Sequence, residues 1–529
     1  MHSGIQTVQL IVFAVLFVVV ALIGFFATRW RRAASLDNLE EWGLGGRRFG
    51  GVITWFLLGG DLYTAYTFVA VPALVYGKGQ TGFFTIPYTI VLYPFAFVVM
   101  PRLWSVARRH GYITPADFVR GAYGSKLLSL LIAITGIVAI VPYVALQLYG
   151  IRVIFTAMGL AGTSLGTGLP LGLAFGILAV YTFNAGLRSP ALTAIMKDVL
   201  IYVVVIVAVI YIPVTLGGYA PVFHAAKAAL AHKPKAAFIT PSAAFSPYAT
   251  LAFGSALALF MYPHNVTGVL ASKSRNTVRR NMAALPAYTL LLAFIALLGY
   301  MAYAKGIHTK DPNLALPALF QAVFPNWWVG VAFAAIGIGA LVPAAIMSIS
   351  AANLFSRNIW TAYIKHDSSP RFQTWLAKFF SVLVAAAALV FILAIKTTFI
   401  LNFQLLGGVW ILQTFPAVVI GLYTRWFDRW VLMLGWAAGI ATGTLMAAAN
   451  SFTSSVYVVN FGPLHFSAYA GLIAFACNLL VVVVLNPLFK LLRVPAGHDE
   501  TRPEDYEAEY EDAPLASAPA VGIPGPQQA

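Results

Sequence analysis

The sequence predicts an all-α polytopic membrane protein with thirteen transmembrane helices. Hydrophobic residues make up 60% of the 529 and charged residues only 9%, with a mean hydropathy of +0.83. A soluble domain carries about 25% charged residues. Apolar stretches of the length that crosses a bilayer recur along the whole chain, near residues 5–27, 51–76, 81–101, 126–158, 168–184, 190–216, 248–270, 282–303, 327–354, 376–395, 399–423, 430–448 and 465–489.

Lysine and arginine lie mostly in alternate loops, which predicts the orientation of the chain. One set of loops contains few basic residues: Lys78, Lys227, Lys233, Lys235, Lys305, Lys310 and Lys396. The other set contains most of them, including Arg29, Arg31, Arg32, Arg108, Arg109, Arg188, Arg275, Arg279, Arg357 and Arg425. The basic loops face the cytoplasm. We therefore expect the N-terminus outside, the C-terminus inside, and a +16 charge that reflects membrane orientation and not nucleic-acid binding.

Composition also divides the chain into segments. Residues 1–49 form a first helix, retained because no cleavage site follows it, and a cytoplasmic loop. Residues 217–247 form an outer loop with a short helix, and residues 425–495 form two peripheral helices. Residues 496–529 are acidic and poor in apolar side chains, which predicts a disordered cytoplasmic tail. The single cysteine, Cys477, excludes a disulfide framework.

Residues 50–216 and 248–424 each contain five predicted helices. Because five is odd, the two groups insert with opposite orientation. The first helix of each group is interrupted, by Gly59-Gly60 in one and by Pro263 in the other. Interrupted helices at matching positions of inverted halves indicate a transporter binding site.

Asp61 follows the first interruption, about 14 Å into a hydrocarbon layer of roughly 30 Å. A carboxylate there is costly unless it faces a cavity or a partner. We interpret Asp61 as an ion- or proton-responsive group, the alternative being an aspartate bonded to backbone at a helix break.

Lys197 and Asp198 lie within the sixth span. Neighbours on a helix point about 100° apart, so the two need not pair with each other. They are candidates for ion coupling or for a gate, or else form a structural ion pair. Ser348 in the ninth span offers a hydroxyl suited to sodium, although small residues there also permit close helix packing.

Polar side chains next to both interruptions predict a pocket for a small polar solute. His264 alone is also compatible with a simple core histidine. No nucleotide-binding loop, H-E-x-x-H motif or spaced Cys/His set is present, so we expect no enzyme, no cofactor, and transport energised by an ion gradient. The candidate pocket residues are Tyr63, Thr64, Tyr66, Gln147, Tyr262, His264 and Asn265.

The chain resembles the solute:sodium symporter family over essentially residues 1–495. The resemblance lies in Leu44-Gly45-Gly46-Arg47-Arg48, in Gly59-Gly60-Asp61-Leu62, and in the segments 186–198, 255–274 and 345–348. It implies thirteen helices, a ten-helix inverted-repeat core like that of the amino-acid transporter LeuT, and alternating access.

The resemblance also implies a sodium site formed by the backbone carbonyls of Gly59, Leu62 and Ala345 with the hydroxyl of Ser348. In the family a second hydroxyl residue follows this serine, but here the position is Ile349. In some relatives with the same core a lysine ammonium takes the sodium position. The site is thus one ligand short while Lys197 is gained, so sodium and proton both remain open as the coupling cation.

Within the family the chain is most similar to bacterial monocarboxylate permeases. This implies import of short acids such as lactate, pyruvate, acetate or propionate across the bacterial inner membrane, with no obligate protein partner. The alternatives are another small solute, such as pantothenate, proline or a sugar, or a membrane sensor derived from such a transporter.

Overall fold

The computed structural model describes residues 5–26, 37–162, 168–233, 236–395, 398–495 and 497–509. Several basic residues used above (Arg29, Arg31, Arg32, Lys235 and Lys396) and the end of the tail at 510–529 lie outside the described residues. The α-helices, numbered α1 to α21 in chain order, are Thr7–Phe26, Leu39–Leu44, Gly51–Gly60, Val71–Lys78, Thr85–His110, Pro115–Tyr123, Lys126–Ala157, Gly168–Ala185, Arg188–Thr215, Tyr219–Ala231, Phe245–Leu259, Pro263–Leu270, Arg275–Ala284, Pro286–Ala304, Ala315–Val323, Asn326–Leu354, Pro370–Ala394, Leu401–Ile411, Phe415–Val418, Arg429–Ala449 and Ala470–Leu491.

The structure confirms an all-α polytopic membrane protein. Within the described chain, ten helices are long and apolar enough to cross a membrane, or eleven when Ser242–Leu259 and Pro263–Leu270 count as one span bent by 45°. The predicted span 51–76 is divided by the break after Gly60, so Gly51–Gly60 alone is too short to cross a membrane. The predicted span 168–184 corresponds to α8, Gly168–Ala185. The count of thirteen therefore remains a prediction.

Helix α16 lies at the centre of the bundle and packs against α1, α7, α9 and α17. Its close approach to α1 depends on glycine. An added Cβ at Gly330 would stand 2.7 Å from the Cβ of Val12, and one at Gly337 would stand 2.8 Å from the Phe13 ring. Small residues on α16 thus bring neighbouring backbones together, as expected in membrane bundles.

The ends of the helices define two faces. One, the hairpin face, contains α10, α15 and a β-hairpin of β1, Val456–Phe461, and β2, Leu464–Tyr469. The other, the tail face, contains α2, α6 and residues 497–509, which contact α5 and α6.

The hairpin corrects one predicted boundary. Residues 465–469 were expected to begin the last transmembrane helix, but they form β2 and the helix begins at Ala470. The β-branched residues of β1 and the turn at Gly462, whose φ is +56°, favour a hairpin here. The base of the hairpin is anchored, because the Tyr469 hydroxyl donates to the Leu405 carbonyl at 2.7 Å and the Tyr469 amide donates to the Thr250 hydroxyl at 3.0 Å.

The tail corrects a second expectation. Residues 497–509 were expected to be disordered, but they pack against the tail face, and Tyr506 is only 4% exposed. The Glu500 amide donates to the Gly121 carbonyl at 2.9 Å, His110 contacts the Asp505 carboxylate at 2.8 Å, and Arg425 pairs with Asp499. The tail has too few apolar residues to fold alone. It is held in place by the burial of Tyr506 and by ion pairs between its acidic residues and basic residues of the tail face.

The segment Leu44–Arg48 forms a tight turn on the same face. Gly45 and Gly46 adopt φ of +60° and +69°, the left-handed region that favours glycine. The turn directs the buried Arg47 guanidinium onto the Glu40 carboxylate at 2.7 Å and the Tyr112 carbonyl at 2.6 Å. This part of the family motif therefore joins α2 to the start of α6.

Candidate ion and substrate site at two helix breaks

The first break lies between α3 and α4, where the sequence predicted it. Helix α3 ends at Gly60, residues 61–64 form turns, and the chain resumes through a π-helical segment, Tyr66–Ala70. Glycine pairs weaken a helix, and here the break releases backbone carbonyls into the interior of the bundle. The Gln147 side chain of α7 meets this break, since its Oε1 accepts from the Ala65 amide at 3.0 Å.

The ammonium of Lys197, on α9, binds two of the carbonyls that the break releases. Its ammonium nitrogen donates to the Gly60 carbonyl at 2.5 Å and to the Tyr63 carbonyl at 3.0 Å, and the side chain is fully buried. Gly60 permits this approach, because a Cβ added there would stand 2.9 Å from the Lys197 nitrogen. A buried ammonium needs this number of partners to offset its desolvation.

Asp198 completes the cluster around the ammonium. Its Oδ1 lies 3.0 Å from the Lys197 nitrogen, and its Oδ2 accepts from the Tyr288 hydroxyl at 3.0 Å. The side chains of Lys197 and Asp198 are both fully buried. Adjacent positions thus do pair here, because the long lysine stem bends back beside its own helix.

Three of the four residues predicted to hold sodium form hydrogen bonds within the protein. The Gly59 carbonyl accepts from the Leu62 amide at 2.9 Å, and the Leu62 carbonyl accepts from the Thr67 hydroxyl. The Ser348 hydroxyl donates to the Ala344 carbonyl within α16 at 2.9 Å. The ammonium is bound instead by carbonyls one residue further along, those of Gly60 and Tyr63.

Asp61 is nearly fully buried, at 1% exposure. Within the described part of the chain, neither of its carboxylate oxygens has a hydrogen-bond partner. It lies within electrostatic reach of Lys197 and Asp198 without a direct bond to either. A buried, unsolvated carboxylate beside a charged pair is typical of a group that binds a cation or a proton.

The second break separates α11 from α12. Tyr262 is extended, with φ −60° and ψ 132°, and Pro263 begins α12, as expected for the residue before a proline and for proline at a helix start. The side-chain amide nitrogen Nδ2 of Asn265 donates to the Leu259 carbonyl at 2.9 Å and lies 3.2 Å from the His264 ring nitrogen Nε2. The Tyr262 hydroxyl donates to the Gln404 carbonyl of α18 at 2.7 Å.

Tyr143 of α7 connects the second break to the central cavity. Its ring centroid lies 5.3 Å from that of Tyr262 and 5.4 Å from that of His264. The cavity has room for about 10 Å³, close to one water molecule, so the bundle is closed around it. Its described lining consists of hydroxyl-bearing and aliphatic residues: Leu62, Tyr63, Tyr66, Thr67, Tyr88, Thr89, Tyr93, Tyr143, Tyr288, Thr289 and Leu292.

Several buried polar atoms around the breaks have no hydrogen-bond partner in the part of the chain that the structure describes. These are the Tyr66 hydroxyl, Gln147 Nε2, Ser255 Oγ, His264 Nδ1 and Gln404 Oε1. Buried polar groups are normally satisfied. Most of these atoms can donate a hydrogen bond, which a carboxylate can accept.

The sequence interpretation missed Tyr143, Tyr288, Ser255 and Gln404. A signal was present, since a phenol, hydroxyl or amide in the middle of an apolar span needs a buried partner. These residues stand among many tyrosines and small residues, so position along the chain alone does not separate them from packing residues.

The sequence profile of the Sodium:solute symporter family matches residues 42–439. The chain belongs to this family. The symporter is 51% identical over 488 residues to the Monocarboxylate transport permease protein of Rhizobium johnstonii, covering 92% of this chain and 98% of the relative. It is 35% identical to the uncharacterized symporter YodF of Bacillus subtilis, covering 91% and 93%.

Among solved structures, the symporter is similar to a Na⁺-coupled sialic acid symporter in a substrate-bound outward-open state. The TM-score is 0.73 at 17% identity, covering 92% of this chain and 98% of the other. This likeness establishes the fold, which is LeuT-like. Family and relatives are transporters, so the symporter is a multi-pass membrane transporter of a small solute and not an enzyme.

Proposed function

We propose that the symporter imports small monocarboxylates of the lactate, pyruvate, acetate or propionate type across a bacterial inner membrane. The observation that carries the substrate class is the 51% identity, over nearly the whole of both chains, to a protein named as a monocarboxylate transport permease. Donors that have no partner among the described residues support it, since Tyr66, Gln147 and His264 can each donate a hydrogen bond to a carboxylate.

We propose alternating access between two inverted five-helix groups, residues 50–216 and 248–424. Movement of the helix halves on either side of the breaks would admit substrate to the candidate pocket. The pocket residues are Tyr63, Thr64, Tyr66, Gln147, Tyr262, His264 and Asn265. In the proposed orientation the hairpin face is outside and the tail face is cytoplasmic, as the loop arginines favour.

We propose the proton as the coupling ion. Lys197 already holds a positive charge at the carbonyls of Gly60 and Tyr63. Ile349 offers no oxygen ligand beside Ser348. Asp61, with both oxygens buried and unpartnered among the described residues, is then the proton acceptor.

Sodium is the second candidate, and membership of the Sodium:solute symporter family is the observation that favours it. Its ligands would be the carbonyls of Gly59, Leu62 and Ala345 with the Ser348 hydroxyl. The Ser348 hydroxyl donates its proton to the Ala344 carbonyl, which leaves its lone pairs able to bind an ion.

The test is [14C]lactate uptake into proteoliposomes under separately imposed proton and sodium gradients. We expect accumulation under an inward proton gradient without sodium, and its loss when a protonophore collapses the gradient. Accumulation that requires sodium would establish the second candidate. Absence of uptake under either gradient, together with uptake of labelled proline, pantothenate or glucose, would overturn the substrate assignment.

A further inference from the structure

A large vestibule opens at the hairpin face, separate from the closed central cavity. Its volume is about 1030 Å³. The walls come from α4, α11, α18, the segment 236–247 and the hairpin, so the outer halves of both broken helices border it.

Three buried leucines, one from each of α4, α11 and α18, line the vestibule, and we call them the leucine floor. Leu74, Leu251 and Leu405 are 7%, 3% and 3% exposed. Leu405 adjoins Gln404, whose carbonyl accepts from the Tyr262 hydroxyl of the second break. The leucine floor therefore adjoins the second break.

Lys78, the last residue of α4, is the single charged residue among the described residues that line the vestibule. Its ammonium lies 5.4 Å from the centroid of the Phe399 ring, and the side chain is partly exposed. Lys233, on the same face but outside the vestibule lining, donates to the Tyr303 hydroxyl at 2.8 Å and lies over the rings of Tyr76 and Tyr303.

The central cavity lacks a charged residue among its described lining. The Lys197 ammonium nearby is bonded to Asp198 and to two carbonyls. An entering carboxylate therefore meets the charge of Lys78 in the vestibule before it reaches the central cavity, and a cation in a concave, partly apolar wall focuses the field.

We propose that Lys78 forms an outer recruiting subsite, which binds the carboxylate of a small monocarboxylate before the leucine floor opens. This inference rests on the proposed function, because it takes the hairpin face as outside and an organic anion as substrate. A charge-assisted contact at Lys78 would raise the rate of substrate entry without changing the later steps.

The test compares lactate uptake by intact cells that express Lys78→Gln, Lys78→Arg and the control Lys305→Gln. Lys305 is exposed on the same face but outside the vestibule lining. We expect KM for Lys78→Gln to rise roughly fivefold with kcat within about twofold, and Lys78→Arg to stay near wild type. Uptake at low lactate should fall with ionic strength in wild type and less so in Lys78→Gln.

Charge rescue distinguishes recruitment from a structural role. In a Cys477→Ser background, Lys78→Cys should have the high KM, and reaction with 2-aminoethyl methanethiosulfonate should restore it by adding an ammonium. The negatively charged 2-sulfonatoethyl reagent should raise KM further, and Cys477→Ser alone should respond to neither reagent.

A wild-type KM in Lys78→Gln, or equal responses to the two reagents, would overturn the subsite while wild-type lactate uptake leaves the proposed function intact. Absence of lactate uptake by the wild type would instead contradict both the substrate assignment and the subsite.

Discussion

The ammonium nitrogen of Lys197 lies 2.5 Å from the carbonyl oxygen of Gly60, inside the break of a membrane helix. The partners of this nitrogen, two backbone carbonyls and the Asp198 carboxylate, are the hard oxygens that a small metal cation also prefers. The lysine thus stands in a cage that an inorganic ion would otherwise suit.

Removal of the lysine should make the symporter responsive to sodium. Lys197→Ala leaves the Gly60 and Tyr63 carbonyls and the Asp198 carboxylate without their cation, a loss of roughly 3–5 kcal/mol for a buried pair. We expect proton-driven uptake to be lost and the melting temperature to fall. Sodium at 100 times its Kd should raise the free energy of unfolding of the variant by about 2.7 kcal/mol. Part of the lost melting temperature should return with it.

The measurement is thermal unfolding of purified protein in sodium and in choline chloride. Wild type and Lys305→Ala should unfold at the same temperature in both salts. Sodium stabilisation of the wild type as strong as that of Lys197→Ala would contradict a cage already filled by lysine.

Asp61→Asn should separate substrate exchange from accumulation. The amide keeps the shape of the side chain but cannot carry the proton or balance the charge. We expect equilibrium exchange of lactate to continue and accumulation under a proton gradient to disappear, measured in proteoliposomes. Asp367→Asn, at an exposed loop position of the tail face, should retain accumulation. Full accumulation by Asp61→Asn would remove this carboxylate from coupling.

Gly60→Ala should disturb the lysine directly. The new methyl carbon would stand 2.9 Å from the Lys197 nitrogen, closer than carbon and nitrogen tolerate, so the ammonium has to shift from its present position at the carbonyls. We expect a loss of roughly 1–3 kcal/mol in stability, seen as earlier thermal unfolding, together with reduced uptake. Gly176→Ala on α8 is the matched control, since open space surrounds that glycine. Equal behaviour of the two variants would refute the close approach.

The docked tail should loosen in acid. Burial raises the pKa of the Asp505 carboxyl, but hydrogen bonds from His110 and the Arg502 amide, with the charge of Arg109, hold that pKa below its usual range. A lowered pKa in the docked state means that docking is favoured above the usual value, near 3.9, and weakens as pH falls through the lower value.

A fluorophore on Ala508→Cys in a Cys477→Ser background reports docking through its anisotropy. We expect high anisotropy at pH 7 that decreases below about pH 4, and a low value already at pH 7 in Asp505→Asn. Glu504→Gln, whose side chain is exposed, should behave like the parent. Unchanged anisotropy in Asp505→Asn would show that Asp505 does not hold the tail.

The sequence predicted the membrane class, both helix breaks and the part of the chain where polar groups gather. These features follow from local chemistry, since Gly59-Gly60 weakens a helix and Pro263 ends one. The partners across the bundle could not be predicted in the same way. Tyr288 and Tyr143 meet the breaks only through packing of helices far apart in sequence.

One alternative left open by the sequence and one wrong expectation have a common cause. The pairing of Lys197 with Asp198 depends on a flexible four-carbon stem, which helix geometry alone does not describe. The docking of Tyr506 and Asp505 depends on a basic surface built by other segments. In both cases the missing information was the three-dimensional position of the opposite charge.

A cation that is part of the polypeptide crosses no membrane. Lys197 stays attached to α9 through every cycle, so it performs the packing role of an ion without contributing to the charge transferred. If one proton accompanies one carboxylate anion, the cycle is electroneutral and the membrane voltage does no work on it. The internal-to-external ratio of the acid anion is then limited by the pH difference alone, about tenfold for each pH unit.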